Sequence, residues 1–382
     1  MATHYQVLII GGGTAGIMTA AQLKRKRREL QIAIAEPSET HWYQPAWTLV
    51  GAGTFDMGKT RRSEHSVIPK GVEWIKDRAV AMLPGENKVE LASGRTLSYD
   101  YLVVATGLVN DNSLIEGLDH ALKTGAVCSN YVDPEYTWKS LQDFKGGTAI
   151  FTQPATPIKC GGAPQKAMYL AADYLKKKGL DKKTEIIVLT PGTVIFGVKQ
   201  VAETLMNVVT RYGIRMKLFH TPVRIDGDRK LAYFKDSTPA EKKEPGQLPA
   251  GARITDEGLL EIPFDFLHLA PPQKAPDFIA RSELANAAGW LDVDQHSLQH
   301  KKFPNIFSLG DVAALPTAKT GAAIRKQAPV VVDNLLKLLD RKPADNHSYD
   351  GYSSCPLVTG YGKMVLAEFN YKNEFTPDPM LK

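Results

Sequence analysis

The apolar positions of the chain fall into short β-branched runs that alternate with segments of helical spacing. Tyr5-Gln-Val-Leu-Ile-Ile10 runs into three consecutive glycines, apolar residues then recur at helical spacing from Ala15 to about Lys26, and Gln31-Ile-Ala-Ile-Ala35 resumes the strand pattern. This order predicts a βαβ unit. Strand-like runs at 72–75, 88–91 and 101–105 extend it, with a Gly94-Arg95 turn between the last two. A second block repeats the alternation: a strand at 148–152, a helix from about Pro164 to Lys178, a strand at 185–189 and a helix from about Gln200 to Tyr212. The polar, proline-containing stretch 236–253 predicts an exposed hairpin tip. Asn305-Ile-Phe-Ser-Leu-Gly-Asp311 is a short apolar run ending in Gly-Asp, and it returns the chain to its first unit.

These patterns predict an α/β protein of two Rossmann-like dinucleotide-binding-type domains. The first is discontinuous, formed by 1–110 and 285–345; the second spans 111–284, and a short C-terminal segment covers 346–382. A length of 382 residues suits two or three folding units. With 43% hydrophobic residues, 31 Gly and 24 Pro, the composition excludes disorder and collagen-like repeats. A net charge of +6 is too mild for an obligate nucleic-acid binder, so no nucleic acid is expected, while an anionic membrane surface stays compatible. The chain has no apolar run of about 18 residues. A strand pattern starting at Tyr5 leaves no room for a leader, so the protein is expected on the cytoplasmic side. Cys128, Cys160 and Cys355 are too widely spaced for a disulfide framework or a zinc knuckle, and no metal is expected.

Gly11-Gly-Gly13-Thr-Ala-Gly16 fits G-x-G-x-x-G after a strand and before a helix, and Glu36 ends the next strand 20 residues beyond Gly16. Gly11 permits the tight turn, Gly13 lets a pyrophosphate approach the backbone, Gly16 allows close helix–strand packing, and the helix N-terminus favours phosphate charge. Glu36 suits a ribose diol and would repel a 2′-phosphate, which disfavours NADP. A glycine-rich turn without a ligand is the bland alternative, and the strand, helix and acid together weigh against it. FAD and NAD both fit so far. Tyr101-Leu-Val-Val-Ala-Thr-Gly107 and Ile306-Phe-Ser-Leu-Gly-Asp311 resemble signatures of two-dinucleotide-domain flavoproteins, which implies FAD with Asp311 at its ribityl chain.

The corresponding turn of the second block is different. Strand 148–152 runs into Gln153-Pro-Ala-Thr-Pro-Ile-Lys-Cys160-Gly-Gly-Ala-Pro-Gln-Lys166, with three prolines and a cysteine in place of a phosphate loop. Proline has no N–H to offer a pyrophosphate, so NAD(P)H is not the expected electron source. Cys160, beside Lys159 and just before a helix, stands where a thiol pKa falls. The bland alternative is an inert buried cysteine. Cys355, in Asp350-Gly-Tyr-Ser-Ser-Cys-Pro-Leu-Val-Thr-Gly360, lies 195 positions later. The two form either a redox pair or one reactive and one structural cysteine, and spacing does not decide between them.

With Pro-Thr-Ala-Lys-Thr-Gly and Tyr-Ser-Ser-Cys-Pro-Leu-Val-Thr-Gly-Tyr added to these motifs, the chain resembles the sulfide:quinone oxidoreductases over essentially its whole length, especially the branch with the mitochondrial enzymes. The resemblance implies FAD, with Cys160 as the flavin-facing sulfur and Cys355 as the sulfur that sulfide first attacks. Besides the glycines, Glu36 and Asp311, it implies cofactor contacts from Gln44, Ala79, Lys166, Lys319 and Gly321. Lys319 and the helix beginning near Thr320 would direct positive charge at the flavin pyrimidine edge. Tyr43, Gly321 and Tyr352 are implied quinone neighbours.

In the implied cycle, hydrosulfide opens a Cys160–Cys355 disulfide or sulfur-bridged form, leaving a persulfide on Cys355 and a thiolate at Cys160. The thiolate reduces the flavin, a sulfur acceptor removes the persulfide sulfur, and ubiquinone or another membrane quinone reoxidises the flavin. The implied partners are hydrogen sulfide, quinone, a sulfur acceptor and a membrane surface; a homo-oligomer is compatible. Cys128 corresponds to a third cysteine in some bacterial relatives and is expected to be accessory or structural. Relatives continue into amphipathic C-terminal helices, whereas Pro377 and Pro379 interrupt any helix here, so a weaker, peripheral attachment is expected.

Three other classes are weighed against this one. The flavin subunit of a cytochrome-linked sulfide dehydrogenase is disfavoured by the missing export signal. A type II NADH:quinone oxidoreductase-like flavoprotein is disfavoured by the lost second phosphate loop. A non-catalytic redox-sensing flavoprotein would show no turnover with sulfide.

Overall fold

The structure is a computed structural model and describes residues 3–242, 248–344 and 349–377. Its first sheet grows from strand Thr3–Ile10, whose Val7, Leu8 and Ile9 are wholly buried. Both faces of this strand are covered, which is why its sequence reads as a continuous apolar run rather than an alternating one. It pairs in parallel with Ile32–Ala35 and with Thr96–Val104, and Glu73–Ile75 extends the parallel edge. Ala79–Leu83 and Lys88–Leu91 add antiparallel strands beyond Thr96–Val104. Ile306–Ser308 also joins Thr96–Val104 in parallel, so two distant chain segments build one sheet. Helices Thr14–Lys26 and Gly321–Leu339 pack together against this sheet.

The second parallel sheet has the order Arg215–Lys217, Thr184–Leu189, Gly147–Thr152, Phe266–His268. Helix Ala163–Lys177 is buried along most of its length. Helix Lys199–Tyr212 presents Val201, Leu205, Val208 and Val209 to the core and stops at Gly213, whose positive φ suits a helix end.

An antiparallel sheet follows, and here the hairpin expected at 236–253 is corrected. Leu231–Asp236 pairs with Leu260–Pro263, while Arg253–Ile254 lies on the other side of Leu260–Pro263. The stretch therefore passes over a strand instead of turning back. The physical reason is burial: Leu260, Glu261 and Ile262 are buried beside Leu231–Asp236, whereas Arg253 and Ile254 are exposed. Residues 243–247 of the stretch lie outside the described residues.

Strands Ser353–Gly360 and Lys363–Phe369 form a separate antiparallel hairpin that carries Cys355. The hairpin packs on both Ala163–Lys177 and Gly321–Leu339. Ser353 Oγ lies 2.8 Å from Thr320 Oγ1, the Tyr361 amide donates to Asp173 at 2.8 Å, and the Tyr361 hydroxyl donates to the Ala52 carbonyl at 2.8 Å. Both major units are thus tied to it. Among the described residues no helix is long and apolar enough to cross a membrane. Pro377 lies in a non-helical stretch and Pro379 outside the described residues.

Candidate active site

The turn after Thr3–Ile10 is shaped by three glycines with different tasks. Gly11 has φ +108°, and a Cβ there would come 2.4 Å from the Ala105 carbonyl oxygen. At Gly16 a Cβ would meet the Gly11 oxygen at 2.0 Å, which only a missing side chain avoids. At Gly13 a Cβ would meet nothing within 4 Å, so its backbone faces open space. The Gly12 amide donates to Glu36 at 2.8 Å, which draws the carboxylate to the turn.

Two residues beside this turn carried no sequence signal. Glu64 is buried, and its Oε1 has no hydrogen-bond partner among the described residues; Oε2 lies 3.7 Å from Nδ1 of His41. That nitrogen is also 3.3 Å from the Gly12 carbonyl, and the adjacent Glu64 carboxylate raises the His41 pKa against the effect of burial. His41 sits on the three-residue strand Thr40–Trp42 and Glu64 on a single helical turn, elements too short to give a periodic pattern. An orphaned carboxylate oxygen beside Glu36, and open backbone at Gly13, fit a ligand bearing hydroxyls and phosphates. Ala79 is buried at the start of Ala79–Leu83.

At the same C-terminal edge of the sheet, Asp311 follows strand Ile306–Ser308. Burial raises its pKa, and the nearby Lys319 and Lys159 oppose that rise. Lys319 donates to the carbonyls of Asp311 at 2.6 Å and Ala313 at 3.1 Å, and its ammonium lies 4.1 Å from the Trp290 ring centroid. Burial lowers its pKa to about 8. Gly321 opens helix Gly321–Leu339, with Thr320 Oγ1 capping the Ala323 amide at 3.1 Å. Gly310, Asp311, Lys319, Thr320 and Gln327 line one cavity.

The two cysteine motifs meet here. Cys160 Sγ lies 3.7 Å from Cys355 Sγ. The Cys160 backbone is left-handed, with φ +53°. It is held there by its amide, which donates to the Lys319 carbonyl at 2.7 Å, and by its own carbonyl, which accepts from Ala163 at 2.8 Å. The loop of the second unit is thereby fastened to the Asp311–Lys319 segment of the first.

The lysine that reaches Cys160 is not its sequence neighbour, and this corrects the expectation placed on Lys159. The Lys159 ammonium hydrogen-bonds Gln44 and lies over the rings of Trp47 at 5.6 Å and Tyr131 at 5.8 Å. Lys166, on helix Ala163–Lys177, points its Nζ at Cys160 Sγ from 3.5 Å. The Cys160 pKa falls to about 5: the hydrogen bond from Cys355 leads, burial opposes, and the Lys166 charge and the Gly162 amide add to the fall. Cys355 moves the other way, because it donates to Cys160, is buried, and faces that negative charge. The surroundings favour negative charge on Cys160 and a proton on Cys355.

Cys128 is buried, donates to the Leu267 carbonyl at 3.5 Å, and burial pushes its pKa to about 12. Tyr43 is 58% exposed beside Gln44. Tyr352 lies just before the hairpin, its hydroxyl donating to Glu368 at 2.5 Å.

A sheet pair of this kind, with two sulfurs in place of a second phosphate loop, defines the class of two-dinucleotide-domain disulfide oxidoreductases. Residues 5–331 match the family described as pyridine nucleotide-disulphide oxidoreductase. The chain is 43% identical over 370 residues to the mouse mitochondrial sulfide:quinone oxidoreductase, covering 96% of this chain and 78% of that protein. It is 41% identical over 371 residues to the mitochondrial protein of the same name from Dictyostelium discoideum, covering 96% and 78%. The crystal structure of the Aquifex aeolicus sulfide:quinone oxidoreductase superposes with a TM-score of 0.78 at 21% identity, covering 97% of this chain and 88% of that one. The chain belongs to the pyridine nucleotide-disulphide oxidoreductases and, within them, to the sulfide:quinone oxidoreductase family. Its cofactor is FAD.

Proposed function

We propose that this protein oxidises hydrogen sulfide at Cys160 and Cys355 and delivers the electrons to a membrane quinone. The observation that carries the reading is the 3.7 Å separation of two sulfurs with opposed protonation tendencies. Such a pair has one nucleophilic sulfur and one that can hold a transferred sulfur atom. FAD, when bound, supplies a two-electron acceptor for the Cys160 sulfur and a donor for quinone.

Gly11, Gly13, Gly16 and Glu36, with Ala79, are the residues for the dinucleotide half of FAD; Gln44, Lys166, Asp311, Lys319 and Gly321 are those for its flavin half. Tyr43, Gly321 and Tyr352 are the quinone neighbours. The sharing of one sheet by Thr3–Ile10 and Ile306–Ser308 supports a first domain made of 1–110 and 285–345, with 111–284 as the second and 346–382 as the terminal segment. A quinone tail is insoluble in water, so the protein works against a membrane surface, as a peripheral protein on the cytoplasmic side. The sulfur leaves Cys355 to a small nucleophilic acceptor.

The test is anaerobic addition of sulfide to the yellow holoprotein, followed by quinone. Bleaching of the flavin by sulfide and its recovery with quinone are expected. A flavin that stays oxidised under excess sulfide would overturn the reading. Flotation with liposomes checks the membrane part: the protein is expected to rise with anionic vesicles.

A further inference from the structure

We infer that Lys166 determines which of the two sulfurs is attacked: its buried ammonium stabilises Cys160 as the leaving thiolate and thereby steers hydrosulfide to Cys355. The inference rests on the sulfide-oxidation reading above.

Lys166 is 7% exposed, yet the charged groups that act on its ammonium are the two sulfurs and Tyr43, not a carboxylate. A buried lysine without a counter-charge is expected to shed its proton. Burial does act on Lys166 in that direction, but the charges of Cys160 and Cys355 outweigh it and raise its pKa. Its hydrogen-bond partner is Cys160 Sγ at 3.5 Å. The counter-ion of this lysine is therefore a sulfur. The other titratable groups facing the cluster are Tyr131 beside both sulfurs, Tyr43 toward Lys166, and Asp311 toward Cys160. Tyr131 is held neutral by burial, and Asp311 is neutralised in part by Lys319 and Lys159.

In the oxidised pair the Cys160 sulfur carries no charge, so the Lys166 ammonium is left without its partner. Entering hydrosulfide brings the negative charge that the site then passes to Cys160, where the Lys166 ammonium can pair with it. Thiol–disulfide exchange expels the sulfur with the lower thiol pKa more readily. Attack at Cys355 forms a bond between the hydrosulfide sulfur and Cys355 Sγ and breaks the Cys160–Cys355 bond. The electron pair of the broken bond goes to Cys160, now a thiolate beside Lys166, while the persulfide on Cys355 keeps the proton. The sulfide sulfur is formally oxidised and the Cys160 sulfur formally reduced, and one negative charge is present before and after. Attack at Cys160 would instead expel the Cys355 sulfur, which is not the hydrogen-bond partner of Lys166, and would leave the ammonium unpaired.

The experiment measures thiolate formation without sulfide. The reduced holoprotein is alkylated with iodoacetamide across a pH series from about 4 to 9, and labelled peptides are quantified by mass spectrometry. Cys160 is expected to label with a midpoint below that of a free cysteine and well below that of Cys355. Lys166→Met should move the Cys160 midpoint upward by at least about one pH unit, and Lys166→Arg should keep it low. An unchanged midpoint in Lys166→Met overturns the inference. Should Lys166→Met fail to fold, Cys355→Ser gives an independent reading, because it removes the leading hydrogen bond and keeps the lysine. In Cys355→Ser the Cys160 midpoint is expected to stay below that of a free cysteine, and a return to the ordinary value overturns the inference.

A single sulfide addition to the oxidised holoprotein then locates the persulfide. It is expected on Cys355 alone in the parent protein and on both cysteines in Lys166→Met. A flavin inert to sulfide with the alkylation profile intact would sink the proposed function; sulfide turnover with an unmoved midpoint would sink only the role of Lys166.

Discussion

The molecule contains two βα turns in equivalent places, one after Thr3–Ile10 and one after Gly147–Thr152, each leading into a helix. The first is made of small residues and leaves the Gly13 backbone open. The second is filled: Cys160 sits in a left-handed conformation, and a Cβ at Gly162 would come 2.5 Å from Cys355 Sγ. At Gly162 the Cys355 sulfur occupies the space beside the backbone. Amides near a helix N-terminus stabilise negative charge whatever its source. In one turn the architecture suits phosphate; in the other the Gly162 amide and Lys166 serve a thiolate. Replacing one anion by another converts a dinucleotide fold into a sulfur site without changing its topology.

The largest effect expected from breaking this contrast is at the sulfurs. Cys160→Ser and Cys355→Ser should each cut sulfide-dependent quinone reduction by about a thousandfold or more, since residues acting as a unit fail together. Flavin absorbance should show FAD retained in both. Substantial turnover in either variant would dissolve the pair.

Nicotinamide supply comes next. Stopped-flow mixing with NADH or NADPH should reduce the flavin at least about a hundredfold more slowly than sulfide does, because the second turn lacks a pyrophosphate cradle. Comparable rates would restore that turn as a nucleotide site.

Within the first turn, folding and binding should separate. Gly11→Ala, with its positive φ and close carbonyl, should lower unfolding free energy by about 2–4 kcal/mol in denaturant titrations. Gly13→Ala should change apoprotein stability by less than about 0.5 kcal/mol while weakening FAD binding in a fluorescence titration. In the second turn Gly161→Ala, which meets nothing within 4 Å, should be silent in both measurements. Cys128→Ser, where the hydroxyl can still donate to Leu267, should cost about 1 kcal/mol of stability and retain most of the sulfide activity.

Local pattern made the first βαβ unit readable, because Gly11–Gly16 and Glu36 are close in sequence and each acts through its own backbone or strand end. The cysteine motifs were readable as unusual loops, but their meeting was not, since it depends on how the terminal hairpin docks on two helices. Lys159 drew attention by adjacency to Cys160. The functional contact belongs to Lys166 because the intervening turn sends the Lys159 side chain toward Gln44 and brings the first part of the helix back over the sulfur. His41 and Glu64 escaped for a related reason, as their pairing is made across short elements. The stretch 236–253 misled because polarity marks a loop without saying which strand receives it.

In the proposed cycle, a bond between Cys160 and Cys355 in the oxidised state would link positions 195 residues apart. It would close a ring comprising half the polymer, including every strand of the second parallel sheet except Gly147–Thr152. By chain-entropy arguments such a ring disfavours the unfolded chain by about 5 kcal/mol. The reduced protein is a linear chain and the cross-linked one a lasso, with residues 1–159 on one side of the ring and 356–382 on the other. Redox poise should therefore set the lifetime of the molecule as well as its chemistry, with the resting, cross-linked form the more resistant to heat and proteases.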